Sequence, residues 1–206
     1  MKVTLLASTP NAAKVVATAA WICTHPELPT EADLRPDKCG PLVRRVIGYG
    51  HHSILEHAVF TFAIEGISRA CSHQLTRYRI ASFSQQSQRY VTAENAKFVL
   101  PPSIAKRGIK VDSEIIIEAY KALIGLGIPP EDARFVLPNA VTTKLVMTMN
   151  ARELRHFFSQ RLCKKAQWEI RGLAHEICAQ CINKEPLLFY GCGPDCANCK
   201  EKEPCK

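Results

Sequence analysis

Apolar side chains recur with two different periods along the chain. Alternation of apolar and polar residues at 58–64 and a Val- and Thr-rich segment at 141–149 predict strands, and residues 2–6 read as a third, short strand. Helical spacing predicts the helices 10–22, 41–47, 67–77, 112–126 and a stretch from 150 to about 181, in one piece or two. Because these elements are mixed without a regular βαβ rhythm, we predict an α+β fold with a mixed or antiparallel sheet and long helices.

Length and composition suggest how the chain is divided. A chain of 206 residues is long enough for one domain with a substantial core, although two small domains are the alternative. The segment 187–206 is rich in Gly, Pro and Cys and has little capacity for a core. We therefore predict one catalytic domain at 1–186 and a Cys-rich C-terminal tail at 187–206.

Charge and hydropathy restrict the class of protein. The formal net charge of +8 would attract polyanions, but the arginines recur singly beside Gln, Ser and His instead of forming a solid basic block. That distribution favours a pocket for a phosphorylated ligand over a nucleic-acid groove. The N-terminus lacks a signal-peptide core, and no apolar run reaches the length of a membrane span, so we expect a cytoplasmic protein with reduced thiols and no membrane contact.

A dense polar segment carries the candidate chemistry. On the predicted helix 67–77, Arg69, His73 and Arg77 share one face, which suggests a nearby anion. Residues 77–89 then supply guanidinium, amide, hydroxyl and phenol groups able to bind phosphates and planar heterocycles. Taken one at a time, these residues could equally belong to a polar surface loop.

Several blocks in fixed order resemble the flavin-dependent thymidylate synthases. That family's signature is Arg-His-Arg, seven residues, then Ser, and here Arg77-Tyr78-Arg79 is followed after seven residues by Ser87. Upstream, residues 51–57 match the family's His-x-Ser/Thr-x-x-Glu-His segment. Downstream, 133–138, 150–152, Arg161 and 166–170 match further blocks. The resemblance runs from about residue 45 to 175.

The resemblance implies reductive methylation of dUMP to dTMP, a reaction that combines methyl transfer with redox chemistry. Methylenetetrahydrofolate would supply the carbon, and NADPH would reduce a bound FAD that supplies the hydride, although an alternative methyl donor stays open. The family also implies a homotetramer whose active sites are shared among subunits. The rival interpretation is a basic nucleic-acid-binding protein with a metal-binding tail.

The family's roles carry over to particular positions. The residues implied to bind FAD are Ser53, Arg77, Tyr78, Arg79, Gln85, Asn150, Arg152 and His156. Those implied to bind dUMP are Gln74, Leu75, Thr76, Arg77, Gln85, Gln86, Ser87, Gln88, Arg89, Arg134 and Arg161. Arg161 would favour ionisation of the pyrimidine and Ser87 would position the substrate, which makes them the catalytic candidates. His51 and Glu56 are further pocket candidates.

Helix geometry and local sequence add to these assignments. Asn150 and Arg161 are 11 residues apart, about 1,100° on a helix, so they return to within about 20° of one face. Ser53 followed by Glu56 also fits a capping box, a structural role that can coexist with FAD binding.

Three positions depart from the family pattern. Tyr78 replaces a histidine and cannot become cationic, although it can still stack and form hydrogen bonds. Gln85 stands where many relatives have Glu, and His156 stands where some have Asn. Polar contact is retained at both positions, but the charge differs.

The tail contains a separate candidate site. Cys192, Cys196, Cys199 and Cys205 could provide four thiolates for zinc or an iron–sulfur cluster, and a Cys-x2-Cys pair lies upstream at 178 and 181. The alternative is a reduced tail without metal.

Overall fold

The chain builds one four-stranded sheet. A computed structural model describes residues 1–109 and 112–197. The strands are β1 (Lys2–Ser8), β2 (Val59–Ser68), β3 (Ala81–Gln85) and β4 (Thr142–Asn150). They lie in the order β1-β2-β4-β3, so β1 and β3 are the edge strands. Together with the helices, this sheet confirms the α+β class.

Helices account for most of the remaining described residues. The α-helices are α1 (Ala12–Ile22), α2 (Pro36–Gly48), α3 (Arg69–Leu75), α4 (Pro102–Ala105), α5 (Ser113–Gly125), α6 (Pro130–Ala133), α7 (Ala151–Arg161), α8 (Trp168–Lys184) and α9 (Pro186–Phe189). Two short 3₁₀ helices span His52–His57 and Arg134–Val136. Across the two described ranges, no helix is long and apolar enough to cross a membrane.

The residues group into two compact units, neither of which is one continuous stretch of chain. The first unit contains residues 1–2, 64–77 and 83–146. The second contains residues 3–63, 78–82 and the chain from 147 onward. Strands β2 and β4 contribute residues to both. The units therefore do not correspond to two successive domains along the sequence.

Aromatic rings dominate the core of the second unit. Phe189 makes edge-to-face contacts with Phe60 and Phe158, at ring-centroid distances of 5.2 and 6.0 Å. Leu188 beside it is completely buried. Residues 188 and 189 fall within the predicted tail, yet they are core residues, because the short helix α9 turns them inward.

The first unit has a smaller core around Tyr120 of α5. Its ring is fully buried with Ala93 and Ala133, and Leu123 and Leu137 pack against this group. Helix α5 begins where its sequence predicts, because the Asp112 carboxylate accepts hydrogen bonds from the backbone amides of Glu114 and Ile115.

Several sequence-based boundaries are corrected. Helix α3 begins at Arg69 instead of residue 67, because Ser68 caps it by accepting a hydrogen bond from the Cys71 amide. Helix α2 is longer than expected and begins at Pro36, which suits a first helical position. The capping box at Ser53 and Glu56 is wrong, because the segment His52–His57 is a 3₁₀ helix that starts after His51 without a side-chain cap.

Two further outcomes concern the sheet and the long helical stretch. Strand β3 was not predicted, because its residues lie inside the polar run of the motif. The stretch after Asn150 does form two helices, α7 and α8. Asn150 itself is the N-cap of α7 and does not have helical backbone angles. The predicted return of Asn150 and Arg161 to one helix face therefore does not hold, because the helical periodicity begins only at Ala151.

Candidate active site

A cavity of about 570 Å³ in the second unit brings together several of the residues assigned to FAD. Helix α7 forms one side of it, and the 3₁₀ helix His52–His57 and the turn at Gly191–Gly193 also contribute. The lining residues are His52, Glu56, Ile80, Asn150, Arg152, Glu153, Arg155, His156, Ser159, Gly191, Cys192 and Gly193. Two arginines and a helix N-terminus offer positive charge to this cavity, and the carboxylates of Glu56 and Glu153 line it as well.

The N-terminus of α7 is built by local hydrogen bonds. The Asn150 side chain accepts a hydrogen bond of 2.8 Å from the Glu153 amide and so caps the helix. Two residues further along the chain, the Arg152 guanidinium is paired with the Glu56 carboxylate, although both side chains are about half exposed. Asn150 and Glu56 are thus held in position as well as being available to a ligand in the cavity.

Tyr78 and Arg161 meet in the second unit. The Arg161 Nε donates a hydrogen bond of 2.9 Å to the Tyr78 hydroxyl, which in turn donates one of 2.8 Å to Oε1 of Gln160. Nε2 of Gln160 lies 3.1 Å from Nε2 of His156, which lines the cavity. These four residues, Arg161, Tyr78, Gln160 and His156, form a continuous polar chain that we call the Tyr78 network.

Packing fixes the Tyr78 ring within this network. The ring is almost fully buried and lies edge-on to Phe157, at a centroid distance of 5.2 Å. Burial raises the pKa of Tyr78 above its usual range, and the neighbouring Arg161 only partly offsets that effect. Tyr78 therefore remains a neutral phenol that orients Arg161, whereas the family's histidine could carry a positive charge.

Ser53 lies on a different cavity of the second unit, with a volume of about 500 Å³. This second cavity is mainly apolar, and its walls include Val15 and Ile22 of α1 together with Ile54 and His57. Ser53 therefore does not share a cavity with Asn150 and Arg152. Its assignment to FAD stays a prediction. His51, a further pocket candidate, is exposed at the N-cap of the 3₁₀ helix, and its role also stays a prediction.

In the first unit, Gln85 has a structural role at the end of β3. Its amide nitrogen donates hydrogen bonds of 2.9 and 3.1 Å to the hydroxyls of Ser72 and Thr143. The next residue, Gln86, donates its backbone amide to the Lys144 carbonyl at 2.9 Å. A neutral amide suits this position, because it can donate to both hydroxyls, which a glutamate could not do.

Arginines of the first unit converge around Glu131. Its carboxylate pairs with Arg89, and its backbone carbonyl accepts a hydrogen bond of 3.0 Å from Nε of Arg134. Burial lowers the pKa of Arg69, and the positive charge of Arg134 lowers it further. Three guanidinium groups with one carboxylate thus make an electropositive cluster, to which we refer as the arginine cluster, and two of its members were assigned to dUMP.

The remaining motif residues are arranged along α3 and after β3. Leu75 is completely buried, so only its backbone can face a ligand, and the Thr76 hydroxyl donates to the Ser72 carbonyl. The Ser87 hydroxyl accepts a hydrogen bond of 3.1 Å from the Arg89 amide. The remaining motif residues with exposed or partly exposed side chains are Gln74, Thr76, Arg77, Arg79, Gln86, Ser87, Gln88 and Arg89. Their roles stay predictions.

Sequence reasoning missed several residues of these arrangements, Arg155 of the first cavity among them. Gln160 joins Tyr78 to His156, and its position four residues after His156 on α7 was the available signal. His52, next to the chosen His51, lines the first cavity and binds the Ile47 carbonyl through its ring nitrogen. Glu131 organises the arginine cluster and lies only three residues before Arg134.

The Cys-rich tail is described only in part. Cys192 lines the first cavity and Cys196 is exposed, whereas Cys199 and Cys205 lie outside the described residues. Within residues 1–109 and 112–197, no three His, Cys, Asp or Glu side chains are arranged to hold a metal ion. The predicted zinc or iron–sulfur site is therefore untested in its complete form.

Comparisons with known proteins give one consistent result. Residues 4–187 match the thymidylate synthase complementing protein family. The chain is 48% identical to a flavin-dependent thymidylate synthase of Geobacter sulfurreducens, over 95% of this chain and 88% of the relative. It is 44% identical to the enzyme of the same description from Pyrococcus abyssi, over 98% of this chain and 91% of that protein.

A solved structure is similar as well. The flavin-dependent thymidylate synthase of Helicobacter pylori, crystallised with FAD and dUMP, matches with a TM-score of 0.74 and 27% sequence identity. The match covers 94% of this chain and all of the other one.

Proposed function

Because the chain belongs to the family of flavin-dependent thymidylate synthases, we propose that it binds FAD and methylates dUMP reductively to dTMP. Methylenetetrahydrofolate is the carbon donor in this proposal, and NADPH is the reductant. The observation that carries the assignment to particular residues is the Tyr78 network, which links Arg161 to a residue of the first cavity. An oriented cation suits a reaction in which the pyrimidine gains negative charge.

The chemistry of the first cavity fits a flavin dinucleotide. Arg152 and Arg155 can neutralise a pyrophosphate, and the N-terminus of α7 adds the positive end of a helix dipole. Asn150 and His156 supply hydrogen-bonding groups for the polar edge of a planar ring. When bound, FAD supplies the hydride that reduces the transferred carbon unit to a methyl group. The protein contributes binding, orientation and charge.

The arginine cluster supports a phosphate site for dUMP. Arg89 and Arg134 were assigned to the nucleotide from the sequence, and both contact Glu131 in the first unit. Arg69 adds a third positive charge. A phosphate has three terminal oxygens and can accept hydrogen bonds from several guanidinium groups at once, whereas a carboxylate has only two oxygens. We propose that the 5′-phosphate binds here and that Ser87, two residues before Arg89 in the chain, positions the nucleotide.

Arg161 has the properties of the residue that acts on the pyrimidine. Its guanidinium is a planar cation, and the hydrogen bond to the Tyr78 hydroxyl holds its Nε in one direction. The remaining N–H groups of a guanidinium fork can then donate to a uracil carbonyl oxygen as negative charge develops there. We assign stabilisation of that charge to Arg161 and positioning of Arg161 to Tyr78.

The proposal also covers the oligomeric state and the location of the protein. We infer a homotetramer whose active sites draw residues from more than one subunit. We also infer a cytoplasmic location, because the described cysteines are free thiols, which suits a reducing compartment.

Release of tritium from dUMP labelled at carbon 5 tests the function directly. The purified protein is incubated with FAD, NADPH, methylenetetrahydrofolate and the labelled nucleotide, and tritium in water is counted. We expect release that requires all four components. We expect Arg161→Ala to lower the rate about 100- to 1,000-fold, because one oriented donor to a developing negative charge has that effect on rate.

Two further variants sharpen this experiment. Arg107→Ala removes an exposed arginine of the loop after α4 and should leave the rate unchanged. Ser87→Ala should raise KM for dUMP more than it lowers kcat. A protein that takes up no FAD and does not bind dUMP would contradict the proposal, as would Arg161→Ala working at the wild-type rate.

A further inference from the structure

Two cysteines of the second unit lie close enough to react with each other. Cys178 is buried on helix α8, and Cys192 lies in the turn that follows α9. Their sulfur atoms are 3.7 Å apart and share a hydrogen bond. A disulfide bond has an S–S length of about 2.05 Å, so the sulfur atoms need to approach by only about 1.7 Å to form one.

The two partners differ in how firmly they are held. Cys178 is fixed by the backbone of a 17-residue helix. Cys192 lies between Gly191 and Gly193, whose φ angles of 62° and 146° are in the region that glycine adopts most easily. The Cys192 side can therefore make the required small movement while the helix stays in position.

The segment before Cys192 is nevertheless anchored, which keeps the pair together. The Arg155 guanidinium donates hydrogen bonds of 3.0 Å to the carbonyls of Leu188 and Tyr190. The Cys192 amide donates to the Phe189 carbonyl at 3.2 Å. Leu188 and Phe189 are also buried in the core. These contacts keep Cys192 close to Cys178.

The positions of the two thiols also favour initial reaction at Cys192. Cys192 lines the first cavity, where a small molecule can reach it, whereas Cys178 is buried on α8. An external disulfide therefore meets Cys192 first, and Cys178 lies behind it at 3.7 Å.

We propose that Cys178 and Cys192 form a reversible disulfide and are a site of thiol–disulfide exchange with low-molecular-weight disulfides. The Cys192 thiolate attacks one sulfur of the external disulfide, forms a mixed disulfide and releases one thiolate. Cys178 then gives up its proton, attacks the Cys192 sulfur and releases the second thiolate. The protein loses two electrons and two protons, and the external disulfide becomes two thiols.

The proposal has a consequence for the first cavity, which rests on the proposed function. Gly191, Cys192 and Gly193 are lining residues of the cavity to which we assign FAD. When Cys192 moves toward α8, this wall moves with it. We therefore expect the oxidised protein to bind FAD more weakly and to form dTMP more slowly than the reduced protein does, with recovery after reduction.

Peptide mapping tests the disulfide independently of any activity. The full-length protein is equilibrated in buffers of reduced and oxidised glutathione, free thiols are blocked with iodoacetamide, and tryptic peptides are identified by mass spectrometry. We expect a disulfide that joins peptide 172–184 to peptide 185–200, assigned by fragmentation to Cys178 and Cys192. In a reducing buffer this disulfide should disappear, and both cysteines should again react with iodoacetamide as free thiols.

Matched cysteine variants give the mapping its specificity. Cys181 is also buried on α8 and interacts with Cys192, so it is the matched control: the linkage should persist in Cys181→Ser and be lost in Cys178→Ser and Cys178→Ala. Cys23→Ser removes an exposed thiol and should change nothing at Cys192. The ratio of the rates of dTMP formation in reduced and oxidised buffer, measured within each variant, should approach one only when Cys178 is absent.

Three results would overturn the proposal. One is the absence of the 178–192 linkage under fully oxidising conditions in which Cys23 does react. Another is a linkage of Cys192 to a different cysteine in the wild-type protein. The third is a stoichiometric metal ion in the purified protein that is lost in Cys178→Ser, which would make the pair metal ligands. A disulfide that forms without any effect on FAD binding would overturn only the link to the first cavity.

Discussion

The Tyr78 network and the arginine cluster are organised in opposite ways. In the network, Tyr78 is only 6% exposed, and each polar group has a partner within the second unit. In the arginine cluster, the Arg89 side chain is 59% exposed and its partner Glu131 is 41% exposed. One group of residues is thus fixed before any ligand arrives, whereas the other is held mainly by a solvent-exposed ion pair.

The difference matches the two tasks that we assign to these regions. A cation that acts on a developing charge is most effective when it is already oriented, because no reorganisation is then needed during the reaction. A phosphate site can rely on mobile arginines, because an exposed ion pair contributes little stability and is readily exchanged for a phosphate. The following variants test this contrast.

The packing beneath the Tyr78 network should have the largest effect on stability. Phe157 is fully buried and contacts both the Tyr78 and the Phe158 rings. We expect Phe157→Ala to lower the free energy of unfolding by about 3–5 kcal/mol, because a large cavity is left in the core. Urea unfolding measures the change. Phe135→Ala, at an exposed phenylalanine, is the control, and similar losses for the two variants would contradict a fixed network.

Removal of the Tyr78 hydroxyl should affect catalysis more than folding. Tyr78→Phe keeps the ring but leaves Arg161 without its hydrogen-bond partner, so we expect kcat/KM for dUMP to fall about 10- to 100-fold. The deficit should stay constant between about pH 6 and 9, because burial raises the pKa of Tyr78 above its usual value near 10.

Steady-state kinetics measures this effect, with Tyr49→Phe as the control at an exposed tyrosine. Wild-type kinetics in Tyr78→Phe would mean that the orientation of Arg161 does not depend on the hydroxyl group.

Two substitutions of Asn150 separate helix capping from cofactor binding. Asn150→Ala should lower the free energy of unfolding by about 1 kcal/mol, whereas Asn150→Asp should preserve the cap. If Asn150 also contacts FAD, both variants should bind the cofactor more weakly, as measured by fluorescence titration. Wild-type FAD affinity in Asn150→Asp would limit the residue to its structural role.

The smallest effect is expected in the arginine cluster. Glu131→Gln removes the carboxylate that competes with a phosphate for Arg89, so stability should change by less than about 1 kcal/mol. Affinity for dUMP should rise by about two- to fivefold, which corresponds to the same small energy. Calorimetric titration measures the affinity. Glu118→Gln makes the same change of charge at an exposed position of α5. An equal rise in dUMP affinity in that variant would mean that net charge alone causes the effect.

The sequence predicted those elements that have a strong periodic pattern. Helix α5 and strand β4 were found within one residue at each end, because their apolar spacing agrees with the burial that the fold gives them. Strand β3 was missed. Its residues are mostly polar, it pairs only with β4 at the edge of the sheet, and its pairing partner lies about 60 residues away in the chain.

For the site, the linear motifs identified residues but not their contacts. Tyr78 and Arg161 were both selected, yet a hydrogen bond between residues 83 apart cannot be predicted from spacing. The same limit explains the wrong capping box at Ser53, where the local pattern fits but Glu56 is engaged by Arg152 from another element. A motif states which side chains a family uses, and tertiary packing decides which of them touch.

The anchoring of the C-terminal segment sets a practical limit on how far the chain can be shortened. Arg155 binds the carbonyls of residues 188 and 190, and Leu188 and Phe189 fill the core of the second unit. A stop codon before residue 190 would leave a hole among the aromatic rings, whereas one directly after Tyr190 would spare that core but remove Gly191, Cys192 and Gly193 from the wall of the first cavity. Gene truncation for crystallisation, or a fused affinity tag, should therefore begin no earlier than residue 194.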